Sequence, residues 1–281
     1  MSTLQTQLGD KLSVRTLASV ADLQAWRERV DVLAIEKQPS RRYLVGFASS
    51  TRAIERALRL RFDIFNRELG EGLFESEALG LDMDRFDPQM SHLVVLDRET
   101  DAVIGTYRLQ TMAHALNNEG VYSGQEYDLT ALEPYFHSAT ECGRACIAKN
   151  HRNANVLLAL WKGIREFMRL HDQRWLFGCC SLTSTDPDDG WRAMKTIRRK
   201  GFLLPEISLP ARPDYSCGSP AREFDPDLGA AIELPKLFAI YMRLGSKVVS
   251  EPAIDREFGT VDFLILMDAY SVKLSTLDFF L

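Results

Sequence analysis

Apolar and polar positions along this chain follow two periods, and the switches between them mark out the elements. RRYLVGFAS (41–49) is an apolar run of strand length. Ser50 or Thr51 can cap a helix behind it, because a side-chain oxygen there accepts from the first unpaired amides. On that helix Ile54, Leu58, Phe62, Phe65 and Leu69 form one apolar stripe. An acidic loop follows. SHLVVLD (91–97) and AVIGTYRLQTM (102–112) then flank a short polar turn, which predicts a hairpin with Thr106 and Arg108 on one face and Tyr107 and Leu109 on the other. ATECGRACI (139–147) reads as a strand, ANVLLALWKGIREFMRL (154–170) as an amphipathic helix, and RWLFGCCSLTS (174–184) as a strand buried on both faces. DDGWRAMKTIRRKGF reads as a helix stopped at Gly201, ELPKLFAIYMRLG as a helix stopped at Gly245, and TVDFLILMD as a strand.

This order predicts an α/β protein with a central mixed sheet flanked by helices and with helix and strand additions at the C-terminal end. A Gly-rich first turn and regular βα alternation, the marks of a dinucleotide fold, are missing. Residues 1–40 read as an N-terminal extension, partly helical, with Leu23, Trp26, Val30 and Leu33 at helical spacing; residues 41–281 read as one domain. There is no internal repeat.

Composition narrows the function classes. The 281 residues are 46% hydrophobic and 26% charged, as in an ordinary globular protein. A net charge of −5 argues against broad nucleic-acid binding. One local basic cluster, Lys195, Arg198, Arg199 and Lys200 in KTIRRK, is either a solvated helix end or a dock for an acidic partner. Five cysteines without a C-x-x-C pair imply reduced thiols and a cytoplasmic setting. No histidine–cysteine spacing suggests a metal site. Without a leader or a long apolar run, any membrane contact is expected to be peripheral, with Trp26 and the tail LSTLDFFL as candidates.

Packing does not explain four placements of charge: Arg61 at the edge of the helical stripe, the pair Asp84 and Asp87, Arg108 in the hairpin, and Glu141 with Arg144 inside an apolar strand. Buried charge is costly unless paired, so these groups form either a structural network or a polar cleft for a charged small molecule. Residues three apart on a regular strand face opposite ways, so Glu141 and Arg144 can share a site only across a bulge or splay. Lone His92, before an apolar strand, reads as structural; His151 beside Arg152 is a candidate phosphate contact.

The blocks RLRFDIFNRELG, LDMDRFDPQMSHLVVLD, IGTYRLQ and ECGRACI occur in one order, and YMRLGSKVVSEPAIDREFGTVDFLILMD closes the chain. Together they resemble the bacterial ornithine-lipid acyltransferases, Gcn5-related N-acyltransferases that use acyl carrier protein. The resemblance runs from about residue 41 to the end. Acyl-homoserine lactone synthases are more distantly similar, and their charged set matches Arg61, Phe65, Asp84, Asp87, Arg108, Glu141 and Arg144 here. The tryptophan expected after the first helix in those synthases is replaced by Leu73 and Phe74, which counts against a homoserine-lactone product.

The resemblance implies transfer of a 3-hydroxy fatty acyl group from acyl carrier protein to an amino acid, ornithine before glycine or lysine, with no resident cofactor. A non-catalytic lipid or carrier-protein binder on the same fold is the competing class. Glu141 is then the candidate base, direct or through water, and Arg144 a carboxylate anchor or a support for Glu141. Arg61, Phe65, Asp84, Asp87 and Arg108 are candidates for substrate binding. The loop KNHRNANVL (149–157) lacks the glycine that cradles a CoA diphosphate, so Lys149 and Arg152 are expected to meet a single phosphopantetheine phosphate at the next helix N-terminus. Lys195, Arg198 and Arg199 are expected to dock the acidic carrier. Cys146 or Ile147 is the expected source of an oxyanion amide, and Phe65, Trp161, Phe177 and Leu182 are expected to line an acyl tunnel.

Overall fold

The computed structural model describes residues 32–272 apart from 36, 37 and 39. Trp26 and the tail LSTLDFFL therefore lie outside the described residues. Among the described residues nine strands form a single sheet: β1 (Val32–Ala34), β2 (Tyr43–Ala48), β3 (Ser91–Asp97), β4 (Ala102–Thr111), β5 (Ala139–Ile147), β6 (Trp175–Leu182), β7 (Lys247–Val248), β8 (Ala253–Asp255) and β9 (Thr260–Asp268). Their spatial order is β1-β2-β3-β4-β5-β6-β9-β7, with β8 also paired to β9. Every pairing is antiparallel except β5 with β6. The sheet begins before residue 41: Leu33, the last member of the expected helical stripe, lies in β1 opposite Phe47.

Four longer helices accompany the sheet. Helix α1 (Thr51–Phe62) starts at Ser50, whose hydroxyl accepts from the Ala53 amide. It continues as a π-helical turn over Asp63–Leu69. That wider turn rotates the following side chains off the 3.6-residue phase. Phe65 stays buried, but Leu69, expected in the same stripe, is exposed. Helix α2 (Ala154–Leu170) lays Val156, Leu160, Ile164 and Phe167 on the sheet, where they meet Phe47, Leu93 and Val95 in the main core. Helix α3 (Pro187–Arg199) and helix α4 (Lys236–Arg243) stop as expected before Gly201 and Gly245, both at positive φ.

The parallel pairing is short. It joins Ala139–Glu141 of β5 to Trp175–Phe177 of β6 and then ends, so the two strands part toward their C-terminal ends. Gly178 sits at the parting point. A Cβ there would stand 2.1 Å from the carbonyl oxygen of Cys142, a backbone atom that cannot swing aside. We expect Gly178→Ala to cost about 1–3 kcal/mol of stability, read by denaturant titration, because two backbones must move.

Candidate active site

A cavity of about 490 Å³ opens where β5 and β6 part. Its walls include Glu141, Gly143, Arg144 and Ala145 from β5, Cys179 and Ser181 from β6, and Arg108 from β4. The register of β4 against β5 slips between Thr106 and Arg108, and Arg144 takes φ +52°, a left-handed conformation costly for any residue but glycine. This irregularity is the bulge that the Glu141–Arg144 spacing demanded, and both side chains reach the same cavity.

The charges are ordered in two layers. Arg61, 1% exposed, donates from Nε to Asp82 (2.7 Å) and from both terminal nitrogens to Asp87 (2.6 and 3.1 Å). Arg108 donates to Asp84 at 2.7 Å and lies 3.1 Å from Asp87. Arg144 donates to Asp84 at 3.2 Å and pairs with Asp82 at 3.3 Å. Its guanidinium also stacks between the rings of Phe258 and Tyr122, 4.1 and 4.8 Å from their centroids. Three guanidiniums thus face three carboxylates, and the set is neutral. Burial alone would raise Asp87; the guanidiniums of Arg61 and Arg108 outweigh it and hold the carboxyl well below the usual range.

Arg108 and Arg144 line the cavity, while Arg61, Asp84 and Asp87 stand behind them and hold them in place. Phe65 lines it as well, edge-on to Phe258 at 5.3 Å.

Glu141 does not pair with Arg144. Its Oε1 accepts from the amide and hydroxyl of Ser123, both at 2.8 Å. Its Oε2 accepts from Gln110 Nε2 (2.8 Å) and the Tyr122 amide (3.1 Å). Four donors fill the acceptor sites of one carboxylate. Ser123 lines the cavity beside Glu141 and carries a hydroxyl bonded to it.

His92 is fully buried, 3.0 Å from the Asp87 carbonyl oxygen through Nε2. Burial lowers its pKa to about 4 despite Asp87 nearby, so it is neutral near pH 7. An unfolded histidine titrates near 6.5, so the unfolded chain binds more protons between these values. The stabilising share of neutral His92 is complete above about pH 6.5 and is lost as pH falls toward 4. We expect about 2 kcal/mol of this share to vanish between pH 7.5 and 5. Asp262, raised to about 7 by burial, acts with the opposite sign over part of that range. The test is therefore the difference between wild type and His92→Gln in denaturant titrations at both pH values: relative to the variant, wild type should lose about 2 kcal/mol from pH 7.5 to 5.

The expected phosphate contacts are placed unevenly. Arg152 lines the cavity mouth, half-exposed, and bonds Glu68 at 2.6 and 2.9 Å and the Ile147 carbonyl at 3.0 Å. Lys149 is exposed on the adjoining turn. The N-terminus of α2 is already capped, since Asn153 Oδ1 accepts from the amides of Asn155 and Val156. His151 faces Tyr43 at 6.2 Å and does not line the cavity. Lys195 donates to the Gly229 carbonyl and Arg198 is bidentate to Glu223, while Arg199 is exposed; none of the three lines the cavity.

A smaller, mostly apolar space adjoins the cavity and shares its walls from Cys142 to Ala145 and at Tyr241. Trp161 and Phe177 line it, together with Ile164, Leu176 and Met267. Leu182, expected in the same lining, belongs to the main core instead. The cavity-facing stretch of β5 is 141–145; Cys146 packs with Phe65 and Phe258, and neither it nor Ile147 borders the cavity. Among the described residues one group offers metal-ligand atoms close together: Glu126, Cys179 and Asp262, within 4.8 Å of one another.

Residues 60–162 match the acetyltransferase (GNAT) domain family. An L-ornithine N(alpha)-acyltransferase of Rhodobacter capsulatus is 30% identical over 238 residues, covering 82% of this chain and 92% of the relative. The chain belongs to the L-ornithine N(alpha)-acyltransferase family. A second such acyltransferase, from Brucella abortus, is 30% identical over 234 residues, covering 79% of this chain and 83% of that protein. Among solved structures, an N-acyl amino acid synthase from uncultured soil microbes aligns at a TM-score of 0.47 and 11% identity, covering 82% of this chain and 92% of that one.

In this member of the ornithine acyltransferase family the mixed sheet flanked by helices is the α/β architecture expected from the order of elements, and its GNAT character is that implied by the resemblance. Several site residues escape the sequence reading. Asp82 pairs with two arginines, and its signal was the spacing of LDMDRFD, where acids fall at 82, 84 and 87. Tyr122 and Ser123, at the start of the short helix Ser123–Glu126, carried no signal. Asp262 interrupts the apolar strand β9 as Glu141 interrupts β5, and that contrast could have found it. Lys236, on the cavity wall at the start of α4, was not singled out in the sequence.

Proposed function

We propose that this protein transfers a 3-hydroxy fatty acyl group from the phosphopantetheine thioester of acyl carrier protein to the α-amine of ornithine, giving lyso-ornithine lipid. The observation that carries the reading is the cavity at the β5–β6 parting, where Glu141, Arg108 and Arg144 meet the apolar space lined by Trp161 and Phe177. A polar acceptor and a fatty chain need those two environments to adjoin. Family membership supports ornithine as the acceptor.

The α-amine arrives mostly as ammonium and must lose a proton before it attacks the thioester carbonyl. Both oxygens of Glu141 already accept two hydrogen bonds each, so the proton moves by relay. Ser123 Oγ takes it from the amine while its own proton passes to Glu141. The amine nitrogen then bonds to the carbonyl carbon, the C–S bond breaks, the nitrogen's second proton passes to the departing thiolate to give the free thiol, and the first proton leaves Glu141 for solvent. Arg144 or Arg108 anchors the acceptor carboxylate, held in place by Asp82, Asp84 and Asp87.

Arg152 and Lys236 flank the cavity and suit the phosphopantetheine phosphate, with Lys149 nearby. The basic end of α3, Lys195 to Arg199, is the proposed dock for the acidic carrier. No resident cofactor is needed. No described helix is long and apolar enough to cross a membrane, and delivery of a lipid product fits transient contact with the inner face of the cytoplasmic membrane.

The donor assignment is tested by comparing 3-hydroxyacyl carrier protein with the matching acyl-CoA. The carrier form should give the larger kcat/KM, and Arg152→Ala with Lys236→Ala should raise the donor KM about tenfold or more with little change in kcat. Equal use of acyl-CoA would overturn the carrier-protein assignment.

A further inference from the structure

Ornithine carries one carboxylate and two ammonium groups, and the reading above leaves the second ammonium without a partner. Beside the cavity lie three buried acids, Glu126, Asp255 and Asp262. Unlike Asp82, Asp84 and Asp87, none of them forms an ion pair with an arginine, lysine or histidine among the described residues. Tyr122 donates to Asp255 at 2.6 Å, and the Cys179 thiol lies 3.5 Å from Glu126 Oε2. Asp262 is 3% exposed, lines the cavity, and has its Oδ1 unpartnered. Glu126 Oε1 is also buried and unpartnered. Burial and the neighbouring acids push Glu126 well above the usual carboxylate range. The arginines are already paired, so no fixed cation opposes these acids; burial favours the protonated forms of Glu126 and Asp262, and a docked ammonium would favour the carboxylate.

Geometry connects this cluster to the reacting end. Ser123 Oγ is 2.8 Å from Glu141 and 3.7 Å from Cys179 Sγ. The Cys179 side chain therefore lies between Ser123 of the proposed relay and Glu126, a span suited to the three-methylene arm of a diamino acid.

We infer that Asp262, backed by Glu126, is the subsite for the side-chain ammonium of the acceptor and sets selectivity for a cationic amino acid. This inference rests on the acyl-transfer reading of the same cavity. The ammonium would fill the open acceptor site of Asp262 and favour its ionised form. An apolar analogue would leave both acids uncompensated, which a site built around a polar group rejects strongly.

The test compares ornithine with norvaline, which has the same carbon skeleton and no side-chain amine, at saturating acyl donor. Wild type should favour ornithine by about 10²–10⁴-fold in kcat/KM. Asp262→Asn should cut that preference at least tenfold, mainly through a higher KM for ornithine, and Glu126→Gln should shift it the same way. Should one variant fail to fold, the other and the wild-type ratio still decide. Equal use of both amines by wild type, or an unchanged preference in the folded variants, would overturn the subsite. So would stoichiometric zinc in the isolated protein together with loss of both activities in EDTA, which would make Glu126, Cys179 and Asp262 a metal site. Acylation of neither amine would overturn the transfer reading itself, and the subsite with it.

Discussion

Replacing Glu141 by glutamine should lower acyl transfer by about 10²–10⁴-fold, the usual range for loss of a general base. The expectation has two physical parts. Glutamine cannot take the proton that leaves the amine. It also keeps only one acceptor oxygen for the four donors that now converge from Ser123, Tyr122 and Gln110, so the amide must face some of them with its own hydrogens. Mispairing there costs about 1–3 kcal/mol, so rates must be compared on folded protein. Ser123→Ala separates the two parts. It keeps the Ser123 amide bond to Glu141 and removes only the hydroxyl. The relay predicts at least a tenfold fall in kcat with an unchanged donor KM; full activity in that variant would remove the relay and leave Glu141 an organising residue.

Arg61→Leu should destabilise the fold by about 3–5 kcal/mol, the cost of leaving buried charge unmatched. Arg61 never touches the cavity, yet it carries the bidentate bond to Asp87 and the Nε bond to Asp82. Without it Asp87 keeps only Arg108, and Asp82 only Arg144, as a guanidinium partner. Activity should fall in the surviving folded fraction too, because those two arginines would be drawn away from the cavity. Arg59→Ala is the control: its bond to Glu55 joins two side chains that are each about half-exposed, and such a pair contributes about 0–1 kcal/mol. Denaturant midpoints of the two variants should therefore differ widely, and similar midpoints would refute the buried-network account.

Most of the frame was legible because burial imposes periodicity. The strands at 91–97 and 260–268 and the helix at 154–170 fall where their apolar patterns end. The π-turn after α1 was not legible, since no side chain announces an i→i+5 ladder, and Leu69 was misplaced for that reason. The charged set was legible as an anomaly: Arg61, Arg108, Glu141 and Arg144 stood where apolar residues should be. Who pairs with whom was not. Glu141 and Arg144 look like a pair in sequence, but the bulge turns Arg144 toward Asp82 and Asp84 while Glu141 turns to residues 122–123. Such partners depend on chain reversal far from the strand, which local pattern does not encode.

The most direct measurement is release of carrier-protein thiol from 3-hydroxyacyl carrier protein with ornithine, glycine, lysine or no amine, with the N-acyl product identified by mass. The account predicts release that depends on ornithine and yields N-acyl-ornithine in equal amount. Thiol release that no amine accelerates, in protein shown to be folded, would contradict it.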